Sequence, residues 1–279
     1  MSPANPERLS DRQFQSIAAL VQRRVGIQLP PAKRTMVEGR LRKRVRALGL
    51  ASLDDYGRHL FEGNNLSGEL PDLIDCITTN KTDFFREPAH FDFLRDRALP
   101  ALLPTRGRAP LKVWSAACSI GAEAYTIAMV LAEKQAKGPR FDYAILGTDI
   151  SSEVLKAART AIYPSAMVDP VPHELRERYV MVARNAGRQE VRIVPELRRR
   201  AQFHQLNLMD DSYPFDRDVD VIFCRNVLIY FDKPTQKAVL RRLAGHLRPG
   251  GFLVLGHSES MAGGSEVGLR QVISTVFQA

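Results

Sequence analysis

Residues 113–125 combine an apolar start, a run of small side chains, a glycine at position 121 and an apolar run that follows. This order predicts a strand, a loop that a ligand can approach closely, and the start of a helix. The first N–H groups of a helix lack partners within the helix and can bind anions and nucleotides. A tight packing turn has the same composition, so this stretch alone leaves both interpretations open.

A second stretch, residues 143–150, has the composition of a strand that ends in an acid, Asp149. In nucleotide-binding folds, a carboxylate at the end of the second strand accepts hydrogen bonds from ribose hydroxyls. Together the two stretches predict a site for a cofactor that carries a nucleoside.

Two further stretches place polar groups beside apolar segments. Residues 79–87 bring amides, hydroxyls, two aromatic rings and Arg86 together in a short span. Residues 220–231 begin as an apolar strand and lead directly into Arg225, Asn226 and Tyr230. We expect these three side chains to face the crevice at the carboxyl ends of the strands. For Tyr230 the alternative is a core tyrosine with a satisfied hydroxyl.

The elements that must position these groups fall into two regions. Over residues 1–78, apolar residues recur at three- and four-residue spacing, the pattern of amphipathic helices. The predicted helices cover residues 11–25, 31–48, 53–60 and 70–77. The sequence therefore predicts an all-helical domain over residues 1–78.

Over residues 79–279, strand and helix patterns alternate, which is typical of a mostly parallel sheet with helices on both faces. The predicted strands cover residues 111–115, 143–148, 220–224 and 252–256. A turn is predicted at residues 248–251, just before the last of these strands. The alternation breaks at about residues 163–203, where prolines and a period-two run predict a small, hairpin-like β insertion.

The predicted helix at residues 31–48 carries many cations on the face opposite its apolar residues, against one acid, Glu38. Its cations are Lys33, Arg34, Arg40, Arg42, Lys43, Arg44 and Arg46. A solvated face and a docking surface for an acidic partner both fit this pattern. The candidates for docking are Arg40, Arg42, Lys43, Arg44 and Arg46.

Composition limits the class of protein. Forty basic and thirty-one acidic residues give a net charge of +9, which favours a nucleic acid, a membrane surface or an acidic protein as partner. No stretch reaches the roughly 18 apolar residues that a membrane span needs, and the start lacks the apolar core of a signal peptide. We therefore expect a cytoplasmic protein.

The cysteines and histidines give no sign of a metal or disulfide framework. The three cysteines, Cys76, Cys118 and Cys224, are odd in number and far apart, so we expect buried thiols. The six histidines are scattered, and no cluster shows the spacing of metal ligands. No metal is predicted.

Four ordered blocks carry a more specific pattern: TNKTDFFRE at residues 79–87, WSAACSIGAEAY at 114–125, FCRNVLIYF at 223–231 and GHSES at 256–260. In these blocks the chain resembles the chemotaxis receptor methyltransferases, the CheR family. That family uses S-adenosylmethionine to esterify glutamate side chains on bacterial chemoreceptors. The resemblance covers about residues 75–260 and is far more specific than one glycine turn.

The resemblance implies an α/β fold: a Rossmann-like class I S-adenosylmethionine-dependent methyltransferase domain, with a small N-terminal helical domain and a small β insertion. Glu123 is implied to accept from the methionine ammonium group, and Arg86 and Tyr230 to contact the reacting centre. The residues implied for the cofactor site are Asn80, Thr82, Arg86, Glu123, Asp149, Asn207, Leu208, Arg225 and Asn226. The implied partner is the acidic cytoplasmic helical bundle of a chemoreceptor, with no nucleic acid and no membrane insertion.

The chain departs from the family pattern at two places. Ala122 and Ala124 stand where the family usually has Glu and Pro, although Glu123 between them is retained. The insertion also lacks the Gly-x-Gly turn of family members that grip a receptor's C-terminal peptide, so recruitment by such a tether is not implied.

Other functions compete with this interpretation. A methyltransferase for a nucleic acid or a small molecule has the same fold and suits the charge, and a non-catalytic S-adenosylmethionine-binding regulator is a further alternative. An oxidoreductase would need a G-x-G-x-x-G turn, but residues 116–121 supply one glycine.

Overall fold

The structure, a computed structural model, describes residues 8–63, 65–183, 185, 187–259 and 267–279. It divides into two units. The first contains Met1–Thr79, Asn207–Met209 and Tyr230–Thr235. The second contains the remaining residues. Among the described helices, none has the length and apolar character that crossing a membrane requires.

The described residues of the first unit are built on four α-helices, as predicted. They are α1 (Asp11–Val25), α2 (Arg34–Ala47), α3 (Leu53–Phe61) and α4 (Leu66–Ile77). Helix α1 begins where the Ser10 side chain accepts from the Gln13 N–H, and it ends at Gly26, whose φ of 75° suits glycine. Helix α2 follows one 3₁₀ turn at Pro31–Lys33, and α4 begins four residues before the predicted 70–77.

The second unit contains a seven-stranded sheet in the order β6-β2-β1-β7-β8-β10-β9. Its strands are β1 (Leu111–Ala116), β2 (Tyr143–Asp149), β6 (Ala201–Gln205), β7 (Val219–Cys224), β8 (Leu247–Leu255), β9 (Arg270–Ile273) and β10 (Val276–Gln278). The first five strands are parallel to one another, and β10 runs antiparallel to both β8 and β9. The sheet reverses its order between β1 and β7, where α/β folds bind ligands.

Two helices of the second unit precede β1, and the others lie between strands in the sequence. The helices are α5 (Ala89–Phe93), α6 (Leu99–Arg106), α7 (Ala122–Lys137), α8 (Ser152–Thr160), α9 (His173–Tyr179), α10 (Pro195–Arg198) and α11 (Lys233–Ala244), the last beginning within the first unit. Strand β7 is buried along its whole length, as expected for a strand covered on both faces. The α/β alternation and the strands β1, β2, β7 and β8 were predicted.

The insertion contains three strands rather than the predicted hairpin. They are β3 (Ile162–Pro164), β4 (Val180–Val182) and β5 (Glu190–Ile193), in an antiparallel sheet of order β3-β5-β4. The predicted turn at residues 248–251 lies inside β8 as a bulge. There Val219 pairs with Leu247 but Val221 pairs with Phe252, so several residues of β8 face a single residue of β7.

The cysteine prediction is partly wrong. All three thiols are free, and Cys118 and Cys224 are buried, but Cys76 is only half-buried. Burial raises the pKa of the Cys118 and Cys224 thiols well above the ordinary value. These two thiols are therefore protonated core groups.

Candidate functional site

Residues from all four sequence blocks meet at the carboxyl ends of β1, β2, β7 and β8. Each of these strands is parallel to its neighbours in this set, so their carboxyl ends lie along one edge of the sheet. The groups that meet there all belong to the second unit. Ser260, the last residue of the fourth block, lies outside the described residues.

The centre of the site is the guanidinium of Arg225, whose side chain is 2% exposed. One nitrogen lies 3.0 Å from Glu123 Oε2, and another lies 3.0 Å from Glu87 Oε2. It also donates to the carbonyl of Arg86 and lies over the ring of Phe91. One buried cation therefore joins three of the blocks.

Glu123 is held from two sides. It lies in the first turn of α7, and its Oε1 accepts from the Ser115 hydroxyl at 2.6 Å while Oε2 faces Arg225. The turn that leads into α7 needs glycine, because Gly121 has a φ of 86° and a Cβ there would lie 3.0 Å from the Cβ of Ala158. The departures Ala122 and Ala124 are both buried within α7, so the helix accommodates them in its core.

The Glu87 carboxylate connects Arg225 to the loop after β7. Its Oε1 accepts from the Asn226 side chain at 3.1 Å, and Oε2 accepts from the His257 N–H at 3.2 Å. Burial alone would raise the pKa of Glu87, but hydrogen bonds from Asn226 and Arg225 outweigh it and hold that pKa below its ordinary value. Glu87 is therefore ionised at neutral pH.

His90 lies beside this carboxylate and is buried. Burial, reinforced by the charge of Arg225, lowers the pKa of His90 to about 4. Its imidazole is therefore neutral at neutral pH.

A second buried carboxylate, Glu259, shapes the loop that carries Asn226. Its oxygens accept from the backbone N–H groups of Asn226 at 2.8 Å, Leu228 at 2.7 Å and Gly256 at 2.7 Å. These bonds hold Asn226 at a φ of 59°, in the left-handed region. Burial raises the pKa of Glu259, and the backbone donors oppose that rise.

Replacing Glu259 with glutamine should lower the free energy of unfolding by about 1 to 3 kcal/mol, because an amide NH₂ would then face a buried backbone donor. Urea denaturation measures the change. Glu153→Gln is the matched control, since its carboxylate is 64% exposed and pairs with Lys156, and it should change stability by less than about 0.5 kcal/mol. Equal effects of the two substitutions would contradict the role assigned to Glu259.

Asp149 closes the other side of the site at the end of β2. It is 8% exposed. Its Oδ2 accepts from the Ser119 N–H at 2.9 Å, and Oδ1 accepts from the Ser151 N–H at 3.0 Å. The Ser119 hydroxyl donates to the Asn80 carbonyl at 2.8 Å, so Ser119 joins Asn80 and Asp149.

Strained backbone concentrates in the same blocks. Of the seven described non-glycine residues with positive φ, five lie in the blocks. They are Phe85, Glu87, Ala117, Ser119 and Asn226. Such conformations persist where the surroundings enforce them, and they cluster at functional sites.

The remaining predicted site residues are distributed over both units. Arg86 donates to the Lys81 carbonyl at 3.2 Å, and Thr82 is half-buried in the same segment. Asn207, Leu208 and Tyr230 belong to the first unit. There the Asn207 amide donates to the Arg24 carbonyl at 2.7 Å and accepts from the Met209 N–H at 3.0 Å.

The half-buried ring of Tyr230 also has partners within the first unit. The Lys33 ammonium lies 5.3 Å from the centre of this ring, and the Tyr230 carbonyl accepts from the Gln28 N–H at 2.9 Å. Lys33, expected on a charged face, therefore contacts an aromatic ring.

The basic helix differs from the expected open charged face. Arg44 pairs with Glu69 at 2.7 Å and with Asp72 at 3.0 Å, and Arg40 donates to the Thr79 hydroxyl at 2.9 Å and to carbonyls at the end of α4. Both are half-buried, and Glu38 is buried. The exposed members of the predicted docking set are Arg42, Lys43 and Arg46.

Sequence reasoning missed several residues of the site. They are Glu87, Ser115, Ser119 and Glu259, and all lie inside the four blocks. Their position in the blocks was the available signal, but their roles depend on partners far away in the sequence.

The chain matches two models of known protein domains. Residues 80–277 match the family model described as CheR methyltransferase, SAM binding domain, and residues 12–78 match CheR methyltransferase, all-alpha domain. The chain belongs to the CheR methyltransferase family. The resemblance seen in the four blocks is thereby confirmed, with its fold class and with S-adenosylmethionine as the cofactor.

Relatives of this CheR-family chain cover most of its length. It is 42% identical to the chemotaxis protein methyltransferase of Salmonella typhimurium over 91% of this chain and 85% of that protein. It is 41% identical to the protein of the same name from Escherichia coli, over 91% and 86% respectively. Chemotaxis protein methyltransferase 2 of Pseudomonas aeruginosa is 38% identical, over 95% and 91%.

Proposed function

We propose that this CheR-family enzyme methylates glutamate side-chain carboxylates on the cytoplasmic part of bacterial chemoreceptors, giving glutamate methyl esters. One observation carries the proposal: the four blocks shared with the family converge on a single network around Arg225, Glu87 and Asn226. Three relatives named chemotaxis protein methyltransferase support the choice of receptor. The proposed domains are residues 1–78 and 79–279, and the proposed location is the cytoplasm.

The network suits S-adenosylmethionine. A buried carboxylate at the end of β2, Asp149, matches ribose hydroxyls, and the carboxylate of Glu123 at the start of α7 matches an ammonium group. Between them runs a loop of small residues with left-handed backbone at Ala117 and Ser119. The other residues that we propose for the cofactor are Asn80, Thr82, Arg86, Asn207, Leu208, Arg225 and Asn226.

Within this set, Arg225 acts by positioning. Its guanidinium is already engaged by Glu87, Glu123 and the Arg86 carbonyl. We propose that it fixes the Glu123 carboxylate in one orientation and helps to hold the pKa of Glu87 below its ordinary value. The same contacts connect the Arg86 backbone to the cofactor side of the site.

The acceptor needs no general base. A glutamate carboxylate has an ordinary pKa of about 4.3 and is ionised at neutral pH. When bound, S-adenosylmethionine supplies an electrophilic methyl group on a positively charged sulfur. The residues of the chain therefore have to align the carboxylate with the methyl group and exclude water. Together these effects can lower the activation free energy by roughly 7 to 11 kcal/mol.

Arg86 and Tyr230 are the proposed contacts for the incoming carboxylate. A guanidinium and a phenol both donate hydrogen bonds to an anion, and neither has to remove a proton from it. A strong ion pair with Arg86 would reduce the nucleophilicity of the acceptor, so we propose that Arg86 orients the carboxylate without pairing tightly.

The basic helix α2 is the proposed docking surface for the acidic helical bundle of the receptor. Arg42, Lys43 and Arg46 carry this part of the proposal, because they are exposed. Arg40 and Arg44 contribute positive charge near the surface, but their guanidinium groups also stabilise the helical unit through α4.

Reversing the exposed charges with Arg42→Glu, Lys43→Glu and Arg46→Glu should slow receptor methylation and leave S-adenosylhomocysteine affinity unchanged. Added salt should slow the unsubstituted enzyme in the same way, since exposed charges are screened over about 8 to 10 Å at physiological ionic strength. The triple change Arg97→Glu, Arg108→Glu and Arg140→Glu alters net charge equally at exposed positions of the other unit. Equal slowing by both triples would contradict docking through α2.

Incubation with labelled S-adenosylmethionine and a membrane extract of the cell of origin tests the proposed acceptor. We expect label on a chemoreceptor band, and loss of that label when the receptor's acceptor glutamates are replaced by alanine. Label on RNA or on a small molecule would favour the alternative substrates. Cofactor binding without any labelled product would favour a regulator.

A further inference from the structure

Three potential metal ligands lie together beside the network. One ligand atom from each of Glu87, His90 and His257 lies within 4.8 Å of the other two. Within this group, His90 Nδ1 and Glu87 Oε2 lie 3.4 Å apart. All three residues belong to the second unit.

The hydrogen bonds around His90 assign its tautomer. Its Nε2 lies 2.9 Å from the Thr275 hydroxyl oxygen, and that hydroxyl donates its own proton to the Ser274 carbonyl at 2.6 Å. The Thr275 oxygen is therefore the acceptor, and His90 Nε2 carries the proton. In a neutral imidazole the other nitrogen, Nδ1, then presents a lone pair.

This lone pair is directed into the cluster and has no hydrogen-bond partner among the described residues. His90 is 2% exposed, so water does not compensate its Nδ1. An oxygen of the Glu87 carboxylate, which is also electron-rich, lies 3.4 Å from it. That oxygen already accepts from Arg225 and from the His257 N–H, so the unsatisfied atom is His90 Nδ1, which a metal ion beside it would stabilise.

We propose that Glu87, His90 and His257 bind one Zn²⁺ ion. Two imidazole nitrogens and one carboxylate oxygen are a common zinc donor set, with a fourth position for water. Tetrahedral zinc with ligand bonds of about 2.0 to 2.1 Å separates its donors by roughly 3.3 to 3.4 Å, which matches the Glu87–His90 pair. His257 is exposed, so its ring can turn toward the ion.

The other hydrogen bond of the His90 ring also suits a metal site. Zinc-binding histidines usually donate their other ring N–H to a fixed acceptor, and His90 donates to Thr275. The ion would compete with Arg225, which lies 3.0 Å from the same Glu87 oxygen. We therefore expect zinc to bind more weakly here than at a structural zinc centre. We also expect zinc to inhibit the enzyme, and only this second expectation rests on the proposed function.

Calorimetric titration of the metal-free full-length protein with Zn²⁺ tests the site. We expect one ion per chain and at least a tenfold weaker affinity in His257→Ala. His204→Ala removes another exposed histidine and should retain the original affinity. Binding of Co²⁺ to the unsubstituted protein should give the visible absorption of a low-coordinate site with nitrogen ligands, which tests the proposal even if a variant fails to fold.

Absence of Zn²⁺ binding would overturn the proposal. Equal loss of affinity in His257→Ala and His204→Ala would also overturn it, because it would indicate adventitious binding to surface histidines. A Co²⁺ spectrum typical of six oxygen ligands would overturn it as well. If the enzyme is active without metal and zinc does not slow it, the proposed competition between zinc and Arg225 for the Glu87 carboxylate is wrong. If no methyl transfer to receptors occurs either with or without metal, the proposed function fails while the binding result stands.

Discussion

Replacing Arg225 with methionine is expected to lower the free energy of unfolding by about 3 to 5 kcal/mol. Removing one partner of a buried ion pair leaves the other charge without compensation. Here two carboxylates, Glu87 and Glu123, would be left at 13% and 11% exposure without their shared cation. Urea denaturation of the two proteins at neutral pH measures the difference.

Arg95→Met is the matched control for this substitution. Arg95 also contacts two acids, Asp92 and Asp96, but its side chain is 46% exposed, so we expect a change of at most about 1 kcal/mol. Adding Glu87→Gln to Arg225→Met should restore part of the lost stability, because one uncompensated charge is removed. A change in Arg225→Met as small as that in Arg95→Met would contradict a buried network centred on Arg225.

Replacing Asp149 with asparagine is expected to weaken S-adenosylhomocysteine binding by about 10- to 150-fold, or roughly 1.5 to 3 kcal/mol. A carboxylate forms stronger hydrogen bonds to hydroxyls than a neutral amide does. Asparagine keeps the size of the side chain, and this matters because Asp149 also accepts from the Ser119 and Ser151 N–H groups. Calorimetric titration below the melting temperature measures the affinity.

Ser151→Ala separates a ligand role of Asp149 from a structural role. The Ser151 hydroxyl caps α8 by accepting from the Val154 N–H, and the Ser151 backbone N–H that Asp149 binds remains in the alanine variant. We expect Ser151→Ala to lose about 1 kcal/mol of stability and to retain cofactor affinity. If Asp149→Asn retains full affinity, Asp149 is not a cofactor ligand.

Much of the fold could be predicted because local signals agreed with the final structure. Helix α1 begins and ends where predicted, since Ser10 caps it, Gly26 ends it, and residues such as Phe14 and Ile17 form a regular buried face. The strands β1 and β7 were recognised because nearly all of their residues are buried and most are apolar.

The elements that were missed lack such regularity. Strand β6 buries only Phe203 among its five residues, so its sequence shows no clear period. The helical region at residues 89–106 was not predicted, because a π-helical segment at Leu94–Ala98 shifts the 3.6-residue repeat and α6 contains Pro104, a residue that disfavours helix interiors. The C-terminal strands β9 and β10 are short and were also missed.

The candidate site likewise contains residues that could be predicted from the sequence and residues that could not. Asp149 was identifiable from its place at the end of a strand, whereas the partners of Arg40 and Arg44 lie on α4 or just after it, where their sequence gives no sign of the contact. Likewise, Glu259 acts through backbone groups of residues 226 and 228, which are distant in the sequence. Contacts between distant segments therefore decide whether an arginine docks a partner or stabilises the fold.

The central claim is that the acceptor is a carboxylate, and the chemistry of the product tests it most directly. A glutamate methyl ester hydrolyses in mild alkali and releases methanol, whereas methylated amines and N-methylated bases do not. After labelling of receptor-containing membranes with labelled S-adenosylmethionine, we predict that alkaline treatment makes the protein-bound label volatile. Label that stays on the acceptor in alkali would contradict glutamate methylation, even with the fold and the cofactor as described.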